Sequence, residues 1–326
     1  MSGEPLKSIV VAFIAGVVAL PSISAAQDWP ARPVRIVAPF APGGTADTLG
    51  RVAAEHLSEA FHQQFFVENR AGAGGVTGSL AVARMDPDGY NFVVSGIATH
   101  AIAPATNPNI GYDALKDFTH VAYFGGPPIV FVAATNIGVK TLKDLVAYAK
   151  AHPAEKLSYA SPGVGTSGHL VAEYFAGKAG IAVEHIPYRG AAPGVMDVVA
   201  GHLRFGSMTW TTASGQISAG TVVPLAVSSD RRLQDFPDIP TFKESGYDLV
   251  STTWFSLSAP AGLPRDIVEK VNHEVVKAFA RPDVLARLRS EQILVEPMTP
   301  EQFTAFVGEE LARWKPVAQQ IGLKAN

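Results

Sequence analysis

Two stretches of this chain put glycines and hydroxyls where a strand would give way to a helix. The first is Pro39-Phe40-Ala41-Pro42-Gly43-Gly44-Thr45-Ala46-Asp47; the second is Ser161-Pro162-Gly163-Val164-Gly165-Thr166-Ser167-Gly168. A helix leaves its first amides without internal partners, and its dipole adds positive potential there, so such a turn suits an anion. Glycine lets a ligand approach the backbone closely, and hydroxyls add donors. A tight turn with a helix cap would account for either loop alone. Two of them, well separated in the chain, read as facing walls of a cleft. On this reading Phe40, Pro42, Gly43, Gly44, Thr45 and Asp47 form one wall, and Ser161, Gly163, Gly165, Thr166 and Ser167 form the other. Asp47 is expected to cap its helix rather than touch an anion, because like charges repel.

The second loop also contains G-x-G-x-x-G (Gly163, Gly165, Gly168), with Glu184 near the distance of a ribose-binding acid. An exported nicotinamide-dependent oxidoreductase is therefore a rival reading. Against it stand Pro162 inside the loop, an export signal, and a first loop left without a role. Other enzyme signatures are missing. His273-Glu274 continues to Val275, Val276 and Lys277, so no H-E-x-x-H zinc motif forms. There is no G-x-S-x-G elbow and no G-K-[ST] phosphate loop. His100 and His169 lie beside the candidate loops, where hydrogen-bonded structural roles are expected. No catalytic constellation, metal site or cofactor is expected.

The elements that would hold these loops alternate, as in an α/β protein with mainly parallel strands. Arg35 to Phe40 reads as a strand, and Ala46 to Phe61 as a helix with Leu49, Val52, Ala53, Leu57 and Ala60 on one face. Strands follow at Phe65–Glu68 and Asn91–Ser95, with a helix over Gly78–Met85 between them. The pattern then restarts with strand Ile129–Ala133 and helix Thr141–His152, capped by the Thr141 hydroxyl. Strands at Leu157–Ala160, Val183–Pro187 and Val222–Val227 alternate with helices His169–Gly177 and Pro193–Ala200. The last third is helical: Arg265–Ala280, Pro282–Glu291 and Pro300–Ile321. The result is two lobes joined by crossing strands near Phe124–Val130 and Thr221–Ser256. Lobe 1 takes residues 27–126 plus 254–326, and lobe 2 takes 127–253.

With 326 residues, 47% of them hydrophobic, the chain can bury a large core and form about two domains at ~100–200 residues each. A net charge of −3 with mixed signs gives no footprint for nucleic acid. The absence of cysteine closes disulfides, thiolate metal sites and lipoprotein attachment. Lys7, the uncharged apolar run Ile9 to Leu20, Pro21 and the small residues Ser24-Ala25-Ala26 read as a cleaved signal peptide over 1–26. That run is shorter than the ~20 residues of a membrane span. The mature chain is expected to start near Gln27, in the periplasm.

At these loops and beyond, the sequence resembles the Bug-type solute receptors, the TctC family of tripartite tricarboxylate transporters. The motifs run in order from Trp29-Pro30 and Pro33-Val34-Arg35 through Pro42-Gly43-Gly44 with Asp47. Asn69-Arg70 with Gly72, Gly74, Gly75 and Gly78 follows, then Asp88-Gly89-Tyr90 and Thr99-His100-Ala101 with Pro104. Further on come Ser161-Pro162-Gly163, Gly165-Thr166, His169-Leu170 and Pro187-Tyr188-Arg189-Gly190 with Pro193. Pro237 to Thr241 with Glu244 and Gly246, Trp254-Phe255 and Ala259-Pro260-Ala261-Gly262 complete the set. Each is weak alone; in order they are specific.

The resemblance implies a type II periplasmic-binding-protein fold, a Venus flytrap of two α/β lobes with a central cleft and strand hinges. It implies a small carboxylate held by amides, hydroxyls and bridging waters without an arginine clamp, and delivery to a two-component membrane permease. A monomer is expected, and a ligand module of a sensory system is a further alternative. Thr99 and His100 should line the side of the cleft, with Tyr188 and Ala191 near the next loop of lobe 2. Arg189 could touch ligand or serve packing equally well. One departure concerns the ligand: where the family carries an acid facing the cleft after Phe205, this chain has Met208, then Thr209 and Trp210. A thioether there suits apolar surface, so a mono- or dicarboxylate with an apolar or aromatic body is expected. Trp210 or Trp254 would be its stacking wall, with Trp210 equally readable as core.

Overall fold

The computed structural model describes residues 29–153, 155–295 and 297–320; the expected signal segment lies outside them. Strands β1 (Val34–Ala38), β2 (Phe65–Asn69) and β3 (Asn91–Gly96) alternate with helices α1 (Thr45–Phe61) and α2 (Val76–Ala83). They pair in parallel, β2-β1-β3, and the sheet is completed by β10 (Phe255–Pro260) and β4 (Phe118–Gly125), with β10 antiparallel to both neighbours. The second sheet repeats this plan. Its order is β7 (Val183–Pro187), β6 (Leu157–Ser161), β8 (Phe205–Thr209), β5 (Ile129–Ala134) and β9 (Val222–Val227), with β5 antiparallel to β8 and β9. Each sheet therefore takes its fourth strand from the chain just after a crossing. The crossings fall between Gly125 and Ile129 and between Val227 and Phe255.

Helices cover both faces, so the central strands are buried on both sides and show no inside–outside alternation of burial. In the first sheet α1 packs with α8 (Arg265–Phe279): Leu49, Val52 and Leu57 meet Val271 and Val275, and Phe124 stacks on Phe279 at 5.0 Å. Ala60, expected on this face, is exposed, and Ala54 is buried instead. In the second sheet Phe131 lies edge-on to Phe175 of α5 (Ser167–Ala179) and to Phe242. Helix α4 (Leu142–Ala151) starts at Thr141, whose hydroxyl accepts the Asp144 amide while Asp144 returns a bond to the Thr141 amide. After α3 (Ala103–Thr106) in the first half and α9 (Pro282–Ser290) behind α8, the last helix, α10 (Pro300–Gln320), joins the two halves: Phe303, Val307 and Trp314 bury Ile97 and Ala101 together with Leu170 of α5.

Three strands, β4, β8 and β10, are not anticipated by the sequence pattern. Strand β10 reads Phe-Ser-Leu-Ser-Ala-Pro, and its serines suggest a loop. Inside the fold they satisfy one another: Ser95 Oγ lies 2.8 Å from Ser256 Oγ and 2.6 Å from Ser258 Oγ, with all three fully buried. Among the described residues no helix is long and apolar enough to cross a membrane.

Candidate ligand-binding site

Strands β1 and β6 lie inside their sheets, one place from the edge, and the loops that follow them emerge at the carboxyl ends of the strands, where α/β proteins place ligands. In the first loop Gly43 turns with φ +81°, a left-handed conformation suited to glycine, and Gly44 caps α1 without a side-chain bond. The α1 amides are thus left to the cleft. Asp47 holds this turn from behind. Its carboxylate accepts the Gly43 amide at 3.0 Å, Asn69 Nδ2 at 3.0 Å and Arg51 Nε at 3.1 Å. Burial would raise the Asp47 pKa, but the Arg51, Gly43 and Asn69 bonds outweigh it and hold the group below the usual carboxylate range.

The second loop is braced in the same manner. Ser161 Oγ accepts the Gly163 amide at 3.1 Å and meets His185 Nε2 at 2.6 Å, while Thr166 Oγ1 donates to Gly163 O at 2.7 Å. The Gly165 amide donates to His169 Nδ1 at 3.2 Å. That bond requires the His169 proton to sit on Nε2, facing Glu173. His169 and His185 stack at 4.0 Å, and burial lowers their pKa values to about 4 and about 3, with His169 adding to the effect on His185.

A third contribution comes from Ala98–Ile102, which follows β3 and is preceded by Ile97. This turn is wound with π-helical hydrogen bonds, a form often found at functional sites. Thr99 Oγ1 lies 2.9 Å from His100 Nδ1. His100 itself is fully buried behind the turn against Phe118 and His120, and burial, then His120, lowers its pKa well below the ordinary value. Helix α6 (Ala191–Val199) presents Ala191 from the second lobe, and the end of β8 presents Thr209.

Between these parts lies a narrow cavity lined by residues of both lobes, at the place where two-lobed folds hold small molecules. Of the expected residues, Phe40, Gly44, Thr45, Thr99, Thr166, Ser167 and Ala191 line it. Pro42, Gly43, Asp47, Ser161, Gly163 and Gly165 shape the two loops without lining it, and His100 sits behind Thr99. Tyr188 donates its hydroxyl to Asp197, outside the lining, and the Arg189 side chain is exposed.

Met208 and Trp210 require correction: neither reaches the cavity. Met208 is fully buried among Val130, Val195 and Val198, because β8 is covered on that face by α6. Trp210 opens α7 (Trp210–Ser218), is fully buried, and packs on Phe236 at 4.6 Å. The apolar wall is instead Phe40, Val94, Ile97, Ile129, Trp254 and Phe255. Ser95, Thr209 and Thr253 also line the cavity. Trp254 stands where one of the two expected stacking walls belongs; the rule that ligands meet strand ends points to Ser95 and Thr209, and only the folded path of the second crossing brings Thr253 there. None of the lining residues has an ionisable side chain.

The walls meet around this cavity. Thr45 Oγ1 donates to Thr209 Oγ1 at 2.9 Å, and the Ala41 amide donates to Arg189 O at 2.8 Å. A Cβ at Gly163 would approach the Gly74 Cα to 3.3 Å. The G-x-G-x-x-G turn is therefore covered by the opposite lobe instead of lying open to a pyrophosphate, and Glu184 is exposed.

A family model described as the tripartite tricarboxylate transporter family receptor matches residues 49–323. The chain belongs to this receptor family. Protein BugT of Bordetella pertussis is similar to the receptor at 33% identity over 326 residues, 99% of each chain. Among solved structures, Rpa4515 of R. palustris, determined with adipate, shares 31% identity and superposes with a TM-score of 0.87, covering 91% of the receptor and 99% of that chain. MatC from Rhodopseudomonas palustris, with bound malate, shares 30% identity at a TM-score of 0.84, covering 89% of the receptor and 100% of that chain. These likenesses agree with the two α/β lobes of a Venus flytrap.

Proposed function

We propose that this receptor works in the periplasm, closes its two lobes over a small carboxylate, and delivers it as a monomer to the membrane subunits of a tripartite transporter. The observation that carries this reading is the cavity: helix starts face it from both lobes, and its lining has no ionisable side chain. An anion there gains amide donors and helix dipoles without an arginine clamp. Phe40, Gly44, Thr45, Thr99, Thr166, Ser167 and Ala191 hold the ligand together with Trp254, the expected stacking wall, and with Ser95, Thr209 and Thr253 added by the fold. The apolar walls suit a ligand whose body is a methylene chain or ring. Adipate in Rpa4515 and malate in MatC support the ligand class.

Thermal unfolding against short mono- and dicarboxylates and aromatic acids tests this. A true ligand stabilises by about 2.7 kcal/mol when present at 100 times its Kd. At least one acid is expected to raise the Tm by several degrees in a concentration-dependent manner. A flat response across the acids, with a shift from NAD instead, would replace the receptor reading with the oxidoreductase one.

A further inference from the structure

Trp254 lines the cavity and is buried, so its indole N–H has to find an acceptor inside the protein. It donates to Glu310 Oε2 of α10 at 2.8 Å. The phenylalanine rings against it, Phe306 at 5.4 Å and Phe303 at 6.2 Å, offer no oxygen to replace that partner. The same Glu310 oxygen accepts the Trp314 indole N–H at 3.0 Å, and the other oxygen accepts Arg313 Nη1 at 3.2 Å. Glu310 is 5% exposed, while the Arg313 side chain lies mostly in solvent, so the carboxylate is buried on one side and paired on the other. An ionised acceptor makes stronger bonds than a neutral one, which suits it to hold two indoles.

The main chain of Trp254 is tied just as closely to the binding loops. Its carbonyl accepts the Ile97 amide at 3.1 Å, directly before the π-wound turn. A Cβ at Gly96 would come within 2.6 Å of that carbonyl, so the two segments are in close contact. The preceding Thr253 amide donates to Pro127 O at 3.1 Å in the first crossing. Trp254 thus stands where the second crossing ends, the π-wound turn begins and α10 packs. Ile97 likewise both lines the cavity and packs under α10. A displaced Trp254 ring would therefore drag backbone that lines the cavity.

We propose that Glu310 is a positioning residue of the ligand cavity: from α10, outside the lining, it fixes the Trp254 ring and with it the wall of Thr253, Trp254 and Ile97. It acts through Trp254 and touches no ligand. This rests on the carboxylate-receptor reading and extends it to the last helix of the chain.

Titration calorimetry with adipate, malate and phenylacetate on variants of the full receptor tests it. Glu310→Leu leaves the indole without an acceptor; each acid that the unaltered receptor binds is expected to bind it at least tenfold more weakly. Glu310→Met takes its place should that variant not fold. Glu310→Gln keeps an oxygen for the indole and is expected to stay within threefold. Trp254→Phe removes the donor, and in that background Glu310→Leu should change affinity less than twofold, because both act through one bond. Trp314→Phe leaves Trp254 bonded and should stay within threefold of the unaltered receptor. Undiminished affinity in Glu310→Leu, the same loss in the Trp254→Phe background, or a tenfold loss in Trp314→Phe overturns the assignment and leaves the receptor reading intact. If the unaltered receptor binds none of the three acids, both fall.

Discussion

Asp47 never touches the cavity, yet the first wall depends on it. One carboxylate holds the Gly43 amide, Asn69 and Arg51 together, and it is only 5% exposed. Hydrogen bonds to a charged group are worth about 1.5–3 kcal/mol each, and removing the acceptor leaves buried donors unsatisfied. Asp47→Ala should therefore lower stability by about 2 kcal/mol in urea unfolding, with Asp47→Asn intermediate. Ligand affinity should fall with it, since the Gly43-Gly44 turn loses its brace. The sequence suggests a helix cap here; in the fold Gly44 holds the cap position and Asp47, in the first turn of α1, reaches back to the Gly43 amide. Met208 and Trp210 are not legible in the same way. Strand β8 is buried along its whole length, so nothing in Phe-Gly-Ser-Met-Thr says which side faces ligand.

Beneath the site two of the three parts rest on buried histidines: His100 and His120 under the Ala98–Ile102 turn, His169 under the second loop. Burial is the first cause of every shift, lowering His120 and His169 to about 4 and His100 well below its ordinary value. In the unfolded chain these groups titrate near 6.5. Between that value and about 4 the unfolded chain binds more protons, so stability is complete above pH 6.5 and falls as pH drops toward 4. Each histidine contributes a slope of about 1.4 kcal/mol per pH unit. Urea unfolding from pH 4 to 8 should show this, and His169→Gln, whose amide oxygen can still accept the Gly165 N–H, should remove one histidine's share of the slope. At this scale the repeated strand–turn–helix units and the Thr141 cap are readable from periodicity and capping residues. The π-wound turn and the serine-bearing β10 are not: the first has no side-chain signature for its i→i+5 winding, and tertiary hydrogen bonds satisfy the serines of the second.

The two lobes and their crossings follow from the restart of the α/β pattern, but which loops meet across the cleft is a property of the folded whole. Gly74 is the clearest case. It lies in the first lobe with φ +63°, and a Cβ there would come within 2.2 Å of Val164 O in the second. No real Cβ sits so close to a backbone oxygen, so Gly74→Ala must hold the lobes apart. The left-handed φ alone costs an alanine about 1 kcal/mol, which by itself would lower stability and say nothing of the cleft. Gly138 separates the two effects: its φ is +71°, yet nothing lies within 4 Å of its Cβ position. Gly138→Ala should lose about 1 kcal/mol of stability and keep full affinity. Gly74→Ala should lose a similar amount and, in addition, bind the best carboxylate at least tenfold more weakly, because closure and ligand contacts are coupled. Small-angle scattering should then find its radius of gyration with ligand larger than that of the Gly138 variant. If both variants bind alike, lobe contact at Gly74 plays no part in holding ligand, and the closed arrangement of the walls is not the binding state.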